Sequence, residues 1–194
     1  MSADGHRVFV AVALDPALYG AVVALERRLE QAGARLRWVP PENLHFTLRF
    51  LGHISDAQLE AARQAVREGC AGVRRFRIVV SGVGAFPSLS RPQVVWVGVS
   101  DGAGELVDLA RRVEEALSRH RFPKDPRGFS AHLTLARVKE SALWGATSRA
   151  LAALEGAVVG TQEVTSVRVV ESLLRPQGPL YTPVEEVPLS PYEK

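Results

Sequence analysis

His45-Phe46-Thr47-Leu48 and His132-Leu133-Thr134-Leu135 are two copies of one pattern, one in each half of a 194-residue chain. Each copy sits in a segment that reads as a strand, Leu44 to Leu51 and Ala131 to Val138. Side chains alternate across a strand, so the histidine and threonine of each motif share one face. Phe46, Leu48, Leu133 and Leu135 then point to the other face, which gives each strand an apolar core side. If the two strands face one another, two imidazoles and two hydroxyls converge on a single cleft. A lone His-x-Thr is a weak signal, but two copies, each followed by leucine, are hard to dismiss.

That set suits phosphodiester cleavage. One imidazole must be neutral to take a proton from water, and the other protonated to give one to the leaving oxygen. Histidine is the side chain whose ordinary pKa allows both states near neutral pH. The hydroxyls of Thr47 and Thr134 can donate to non-bridging phosphate oxygens, where charge builds in the transition state. β-Branched threonine has few rotamers, so each hydroxyl is partly pre-aimed. The scheme needs no metal and no cofactor.

Outward from the motifs, strands and helices are interspersed without strict alternation. Val8 to Leu14 is almost wholly apolar and reads as a buried strand. Asp15-Pro16 supplies a cap and a first-turn proline, Leu18, Val22, Leu25 and Leu29 follow at helical spacing, and Gly33 closes that helix. Ser55-Asp56-Ala57-Gln58 has the form of a capping box and opens a helix to about Gly69. Val73 to Val80 and Gln93 to Val99 read as strands, and Gly82, Gly84, Pro87 and Pro92 between them read as loop. Helices are expected from Gly104 to Arg121 and from Ala142 to Leu154, and strands over Glu163 to Leu173 and Leu180 to Val187. The first strand is not followed by GxGxxG, and no Walker-type phosphate loop occurs, so nucleotide-cofactor folds lose support. With no low-complexity linker, residues 1–194 read as a single domain.

Composition sets the outer bounds. Hydrophobic residues make up 46% of the chain and charged ones 23%, as in a soluble globular protein. The net charge of +3 permits nucleic acid binding without requiring it. The lone cysteine, Cys70, can form no internal disulfide and no cysteine zinc site; it reads as a small core residue. No stretch approaches the ~18 apolar residues of a membrane span, so a cytoplasmic protein without a membrane partner is expected. It is taken as a monomer.

The two motifs resemble the paired HxTx signature of the two-histidine (2H) phosphoesterase superfamily. Within it the chain is similar to the RNA 2′,3′-cyclic phosphodiesterases, historically called 2′-5′ RNA ligases. The likeness extends to Arg7–Val12, Asn43–Gly52, Val94–Gly98, His132–Arg137 and Pro179–Tyr181. Ser130-Ala131 departs from the pattern, since a proline usually precedes the second histidine. The resemblance implies a bilobal α+β fold, with two antiparallel sheets related by a pseudo-twofold around a central cleft and helices outside. It implies His45 as proton donor and His132 as the base that activates water; the near-equivalent motifs do not assign those roles by themselves. It further implies an RNA end bearing a 2′,3′-cyclic phosphate as substrate and a 2′-phosphomonoester as product.

Other candidates are weighed on parity. The resemblance places Arg137 near the phosphate, but it lies an odd number of residues from His132 and should face away unless a bulge intervenes. Arg49 has the parity of His45 and Thr47 and is aimed at the cleft. Phe9 and Tyr181 are candidates to stack on a base, with Trp38 and Phe129 behind them. His53 reads as a turn residue, His120 as a helix-end residue meeting the negative dipole, and His6 as part of a loose terminus. Three competing readings are ligation of 2′-5′ ends by the same residues, a zinc hydrolase using His45, His53 and His132, and a non-catalytic RNA-binding module.

Overall fold

The apolar run near the N-terminus becomes β1 (His6–Ala13), which pairs with a strand on each edge and is buried on both faces by apolar packing. The computed structural model describes residues 5–138, 140, 144–176 and 178–191. After β1 come α1 (Tyr19–Gln31), β2 (Arg37–Trp38), β3 (His45–Ile54), α2 (Asp56–Cys70), β4 (Phe76–Ser88) and β5 (Arg91–Asp101). Then follow α3 (Ala103–Arg119), β6 (His132–Arg137), α4 (Trp144–Ala153), β7 (Val158–Val164), β8 (Ser166–Arg175) and β9 (Gly178–Pro188).

All nine strands join one antiparallel ladder in the order β7-β4-β5-β6-β3-β1-β8-β9, with β2 added to β6. The two expected sheets are its two halves, β7-β4-β5-β6 and β3-β1-β8-β9. They meet where β3 and β6 share a single register pair, Phe46 against Leu133. Connectivity shows that this ladder is curled. Only Thr165 separates β7 from β8, a span of about 7–8 Å, yet five strands lie between them in the ladder. The two halves must therefore bend toward each other behind the β3–β6 junction. Gln162 on β7 sits at this closure, 3% exposed. Its side chain donates to the Ala13 carbonyl (3.1 Å) and accepts from the Asp15 amide (3.0 Å).

Parity sorts β1 between two cores. Val8, Val10 and Val12 enter the main core with the apolar faces of all four helices. Phe9 and Ala11 turn the other way and form a small cluster with Val170 and Tyr181. The helices therefore pack on one side of the sheet, and the opposite side is left for the site. Among the described residues no helix is long and apolar enough to cross a membrane.

Several expectations hold in detail. The capping box is formed, with Ser55 accepting from the Gln58 amide and Gln58 reaching back to the Ser55 amide. Leu106, Leu109, Val113 and Leu117 are the buried stripe of α3. Cys70 is buried, and burial pushes its thiol up to about 12. Others need correction. Asp15 caps a short 3-10 turn at Pro16–Leu18, and α1 proper begins at Tyr19. Residues 81–92 are mostly strand. Gly84 marks a close approach, since a Cβ there would meet the Trp96 ring at 2.3 Å, and Gly82 (φ +75°) sits at a bulge of β4. The run expected over Glu163 to Leu173 is two strands, β7 and β8, broken at Thr165. The expected start of α4 at Ala142 lies outside the described residues.

Replacing Gln162 by leucine orphans the Ala13 carbonyl and the Asp15 amide inside the protein. A loss of about 2 kcal/mol or more is expected, read as a lower urea midpoint at unchanged slope; an unmoved midpoint would show that Gln162 does not hold the closure.

Candidate active site

β3 and β6 carry the two motifs antiparallel to each other, so His45 lies toward Thr134 and Thr47 toward His132. Burial follows the alternation read from the sequence. Phe46, Leu48, Leu133 and Leu135 are buried, while both histidines and both threonines are half-exposed. All four polar residues line one cavity of about 760 Å³ on the side of the sheet away from the main core. That is the size of a small-ligand site.

The imidazoles are held in the same way. His45 Nδ1 lies 2.7 Å from the Asn43 carbonyl and His132 Nδ1 lies 2.8 Å from the Ser130 carbonyl, each two residues back. A carbonyl can only accept, so both Nδ1 atoms carry hydrogen and both Nε2 atoms are left free. Because a main-chain carbonyl does this work, the missing proline at Ala131 leaves it intact. Burial depresses the pKa of both rings below the ordinary 6.5, and the charge of His132 lowers that of His45 further. Each ring is also packed by aromatics. Phe9 stacks on His45 at 4.6 Å, and Tyr181 meets it edge-on at 5.4 Å. Phe86 meets His132 edge-on at 4.9 Å.

Both strands bulge at the same place. Ladder pairing skips Leu48, between Thr47 and Arg49, and skips Leu135, between Thr134 and Ala136. An extra residue resets the alternation. The fifth residue after each histidine, Phe50 on β3 and Arg137 on β6, therefore returns to the cavity, and both line it.

A family model for LigT-like phosphoesterases matches residues 12–96 and again 97–181, one motif in each match. The chain belongs to the LigT-like phosphoesterase family. An Aeropyrum pernix protein named RNA 2′,3′-cyclic phosphodiesterase is 38% identical over 172 residues, covering 88% of this chain and 96% of that protein. One of the same name from Archaeoglobus fulgidus is 36% identical, covering 90% and 96%. The structure is similar to that of TT0787 from Thermus thermophilus (TM-score 0.77, 25% identical, 96% of this chain and 100% of that one). It also shares the fold of E. coli LigT solved with 3′-AMP (TM-score 0.75, 23% identical, 96% and 99%).

The bulges revise two parity readings for this phosphoesterase. Arg137 faces the cavity, against simple parity. Arg49 does not, and its side chain is only 10% exposed. Its Nε pairs with Glu114 at 2.6 Å, Nη1 lies 3.4 Å from Asp125 and donates to the Phe50 carbonyl at 2.7 Å, and Nη2 donates to the Pro123 carbonyl. Arg49 thus ties β3 and α3 to the loop that leads into β6. Arg127 and Arg49 hold the Asp125 carboxyl at about 2.

Phe9 is 3% exposed and closed off beneath His45, so it braces the imidazole and offers no face to a base. Tyr181 is half-exposed and lines the cavity, as does Trp38, whose indole N–H donates to Glu30 at 2.6 Å. Phe129 packs against the main core. The phosphoesterase's other histidines stand apart from the cavity. His53 is in β3, paired with Arg7. His120 pairs with Glu68. His6, expected in a loose terminus, lies in β1 between Glu171 and Asp56, 2.6 Å from each, which raises its pKa. His53 therefore cannot join His45 and His132 around an ion, and among the described residues no group of three or more His, Cys, Asp or Glu is placed to hold a metal.

Sequence reasoning did not single out Arg37, Phe50, Phe86 or Arg175. Phe50 was within reach, because a bulge in one motif of a repeated pair implies the same bulge in the other.

Arg49→Met should cost about 3 kcal/mol, because it leaves Glu114 without its cation while Asp125 keeps only Arg127, and should leave KM for a cyclic-phosphate substrate unchanged. A raised KM at full stability would place Arg49 on the substrate instead.

Proposed function

We propose that this protein hydrolyses 2′,3′-cyclic phosphate ends of RNA to 2′-phosphomonoesters without a metal, its two halves working as one bilobal unit. The observation that carries the reading is the convergence of two Nδ1-anchored imidazoles, with free Nε2 atoms, and two threonine hydroxyls in one cavity. The name shared by the archaeal relatives supports RNA as the substrate class.

In this scheme Thr47 and Thr134 donate to the non-bridging oxygens of the cyclic phosphate. His132 Nε2 removes a proton from water as its oxygen attacks phosphorus. The bond from phosphorus to O3′ breaks, and His45 Nε2–H gives its proton to O3′. The product carries a 3′-hydroxyl and a 2′-phosphomonoester, and the pair of imidazoles ends with its single proton on the other ring. The division of roles follows the family resemblance. A bound anion allows one ring to stay protonated, since an adjacent negative charge favours the imidazolium form of a ring whose pKa burial has depressed, and acts on both rings alike.

His45→Ala and His132→Ala should each lower kcat by a factor of about 10² to 10⁴, with activity of the parent enzyme persisting in excess chelator. A substrate with sulfur at the 3′ bridging position leaves without needing a proton. It should restore His45→Ala but not His132→Ala; the opposite pattern would exchange the two roles, and full activity in both variants would refute the scheme.

The pH dependence follows from the two shifts. The active form carries one proton between the rings, and it disappears when that proton is lost or a second is gained. Both rings titrate below 6.5 in the free enzyme. The profile of kcat/KM should therefore be a bell with its maximum below pH 6.5, and that of kcat should peak at higher pH because the substrate anion raises both values. A kcat/KM that climbs steadily to pH 9 would contradict it.

A further inference from the structure

The two imidazoles are braced unequally. Each gives its Nδ1–H to a carbonyl two residues back. One such bond fixes one ring atom and leaves the ring plane free to swing, so the aim of Nε2 depends on what packs against the ring. His45 is packed on two sides, by Phe9 stacked on its face and by Tyr181 edge-on. Among the described residues His132 has one aromatic neighbour, Phe86, edge-on at 4.9 Å. Its cross-strand partner on β5 is Gly98, which has no side chain to support it.

Phe86 comes from β4, two strands away from β6 in the ladder. Its ring packs against Trp96 at 5.5 Å. Trp96 in turn is the partner of Thr134 across the β5–β6 ladder, and its ring occupies the space that a Cβ at Gly84 would need. The bare backbone at Gly84 thus lets the Phe86–Trp96 pair back both polar residues of the second motif. The end of β4 that carries Phe86 is tied to α4, where Ser148 donates to the Leu89 carbonyl at the hairpin tip. Two facts separate Phe86 from an ordinary packing residue. It belongs to neither buried cluster, and at 37% exposure it adds little to the core. It is also not among the residues that line the cavity, so it touches His132 without being placed to touch substrate.

We propose that Phe86 is a positioning residue for His132: its ring holds the second imidazole in the plane that aims Nε2 at the cavity and shields it from water on one side. The role of His132 as base rests on the reading given under the proposed function; the bracing of its ring does not. Reaction geometry is demanding, and displacing a reacting group by about 1 Å costs up to about a hundredfold in rate. Phe86 therefore acts on turnover from outside the binding surface.

The test pairs Phe86→Leu, which keeps an apolar side chain and removes the ring, with Phe86→Tyr, which keeps the ring. On a dinucleotide ending in a 2′,3′-cyclic phosphate, Phe86→Leu should lower kcat about tenfold or more with KM unchanged, and Phe86→Tyr should stay near the parent. A second readout needs no turnover. Burial lowers the His132 pKa in the parent. Water admitted by Phe86→Leu should move the NMR titration of His132 upward toward 6.5, while that of His45 does not rise. The spectrum of His132→Ala assigns the signal. A raised KM at unchanged kcat would place Phe86 on the substrate, and equal losses in both variants would show that the aromatic ring is not what matters; either result overturns the inference. So does an unmoved His132 titration in Phe86→Leu. If the parent enzyme opened no cyclic phosphate, the proposed function would fall, and the titration alone would decide whether Phe86 braces His132.

Discussion

One ladder contact, Phe46 against Leu133, joins the two halves of the sheet and brings the two motif strands side by side. Both residues are fully buried, so the junction is anchored in the main core. Because β3 and β6 are antiparallel, the contact sets each histidine beside the threonine of the other motif. Neither strand could slip by one residue without turning its imidazole into the core and a large apolar side chain into the cleft. The closure at Thr165 and the Gln162 bridge hold the curled ladder from behind.

On that frame the main chain supplies most of the precision. The carbonyls of Asn43 and Ser130 fix the tautomer of both rings, and Phe9, Tyr181 and Phe86 limit their movement. The partly dry setting depresses both pKa values, so a proton on either ring is held weakly until an anion arrives. This electrostatic coupling between ligand and proton suits a site that receives a phosphate.

The pseudo-twofold scaffold is not chemically symmetric. The same bulge, at the leucine after each threonine, returns Phe50 to the cavity from one half and Arg137 from the other. β2 then adds Arg37 beside Arg137.

Much of this was legible along the chain. The two His-x-Thr-Leu repeats, their burial alternation, the capping box at Ser55 and the buried stripe of α3 follow from local periodicity, which depends only on neighbours in sequence. Glycine and proline between residues 81 and 92 misled because they act there through contacts with partners, Gly84 beneath the Trp96 ring above all, and not as turn residues. Arg49 and Arg137 were misaimed for one reason: a bulge arises from pairing with a neighbouring strand, and simple parity cannot register it. The sequence by itself determined the two His-x-Thr pairs and the faces they occupy, since alternation is a property of a single strand. Only the tertiary structure decided that the two faces share one cavity, that Arg49 is a brace, and that Arg37 meets Arg137, because strand pairing and curl are set by contacts between residues far apart in the chain.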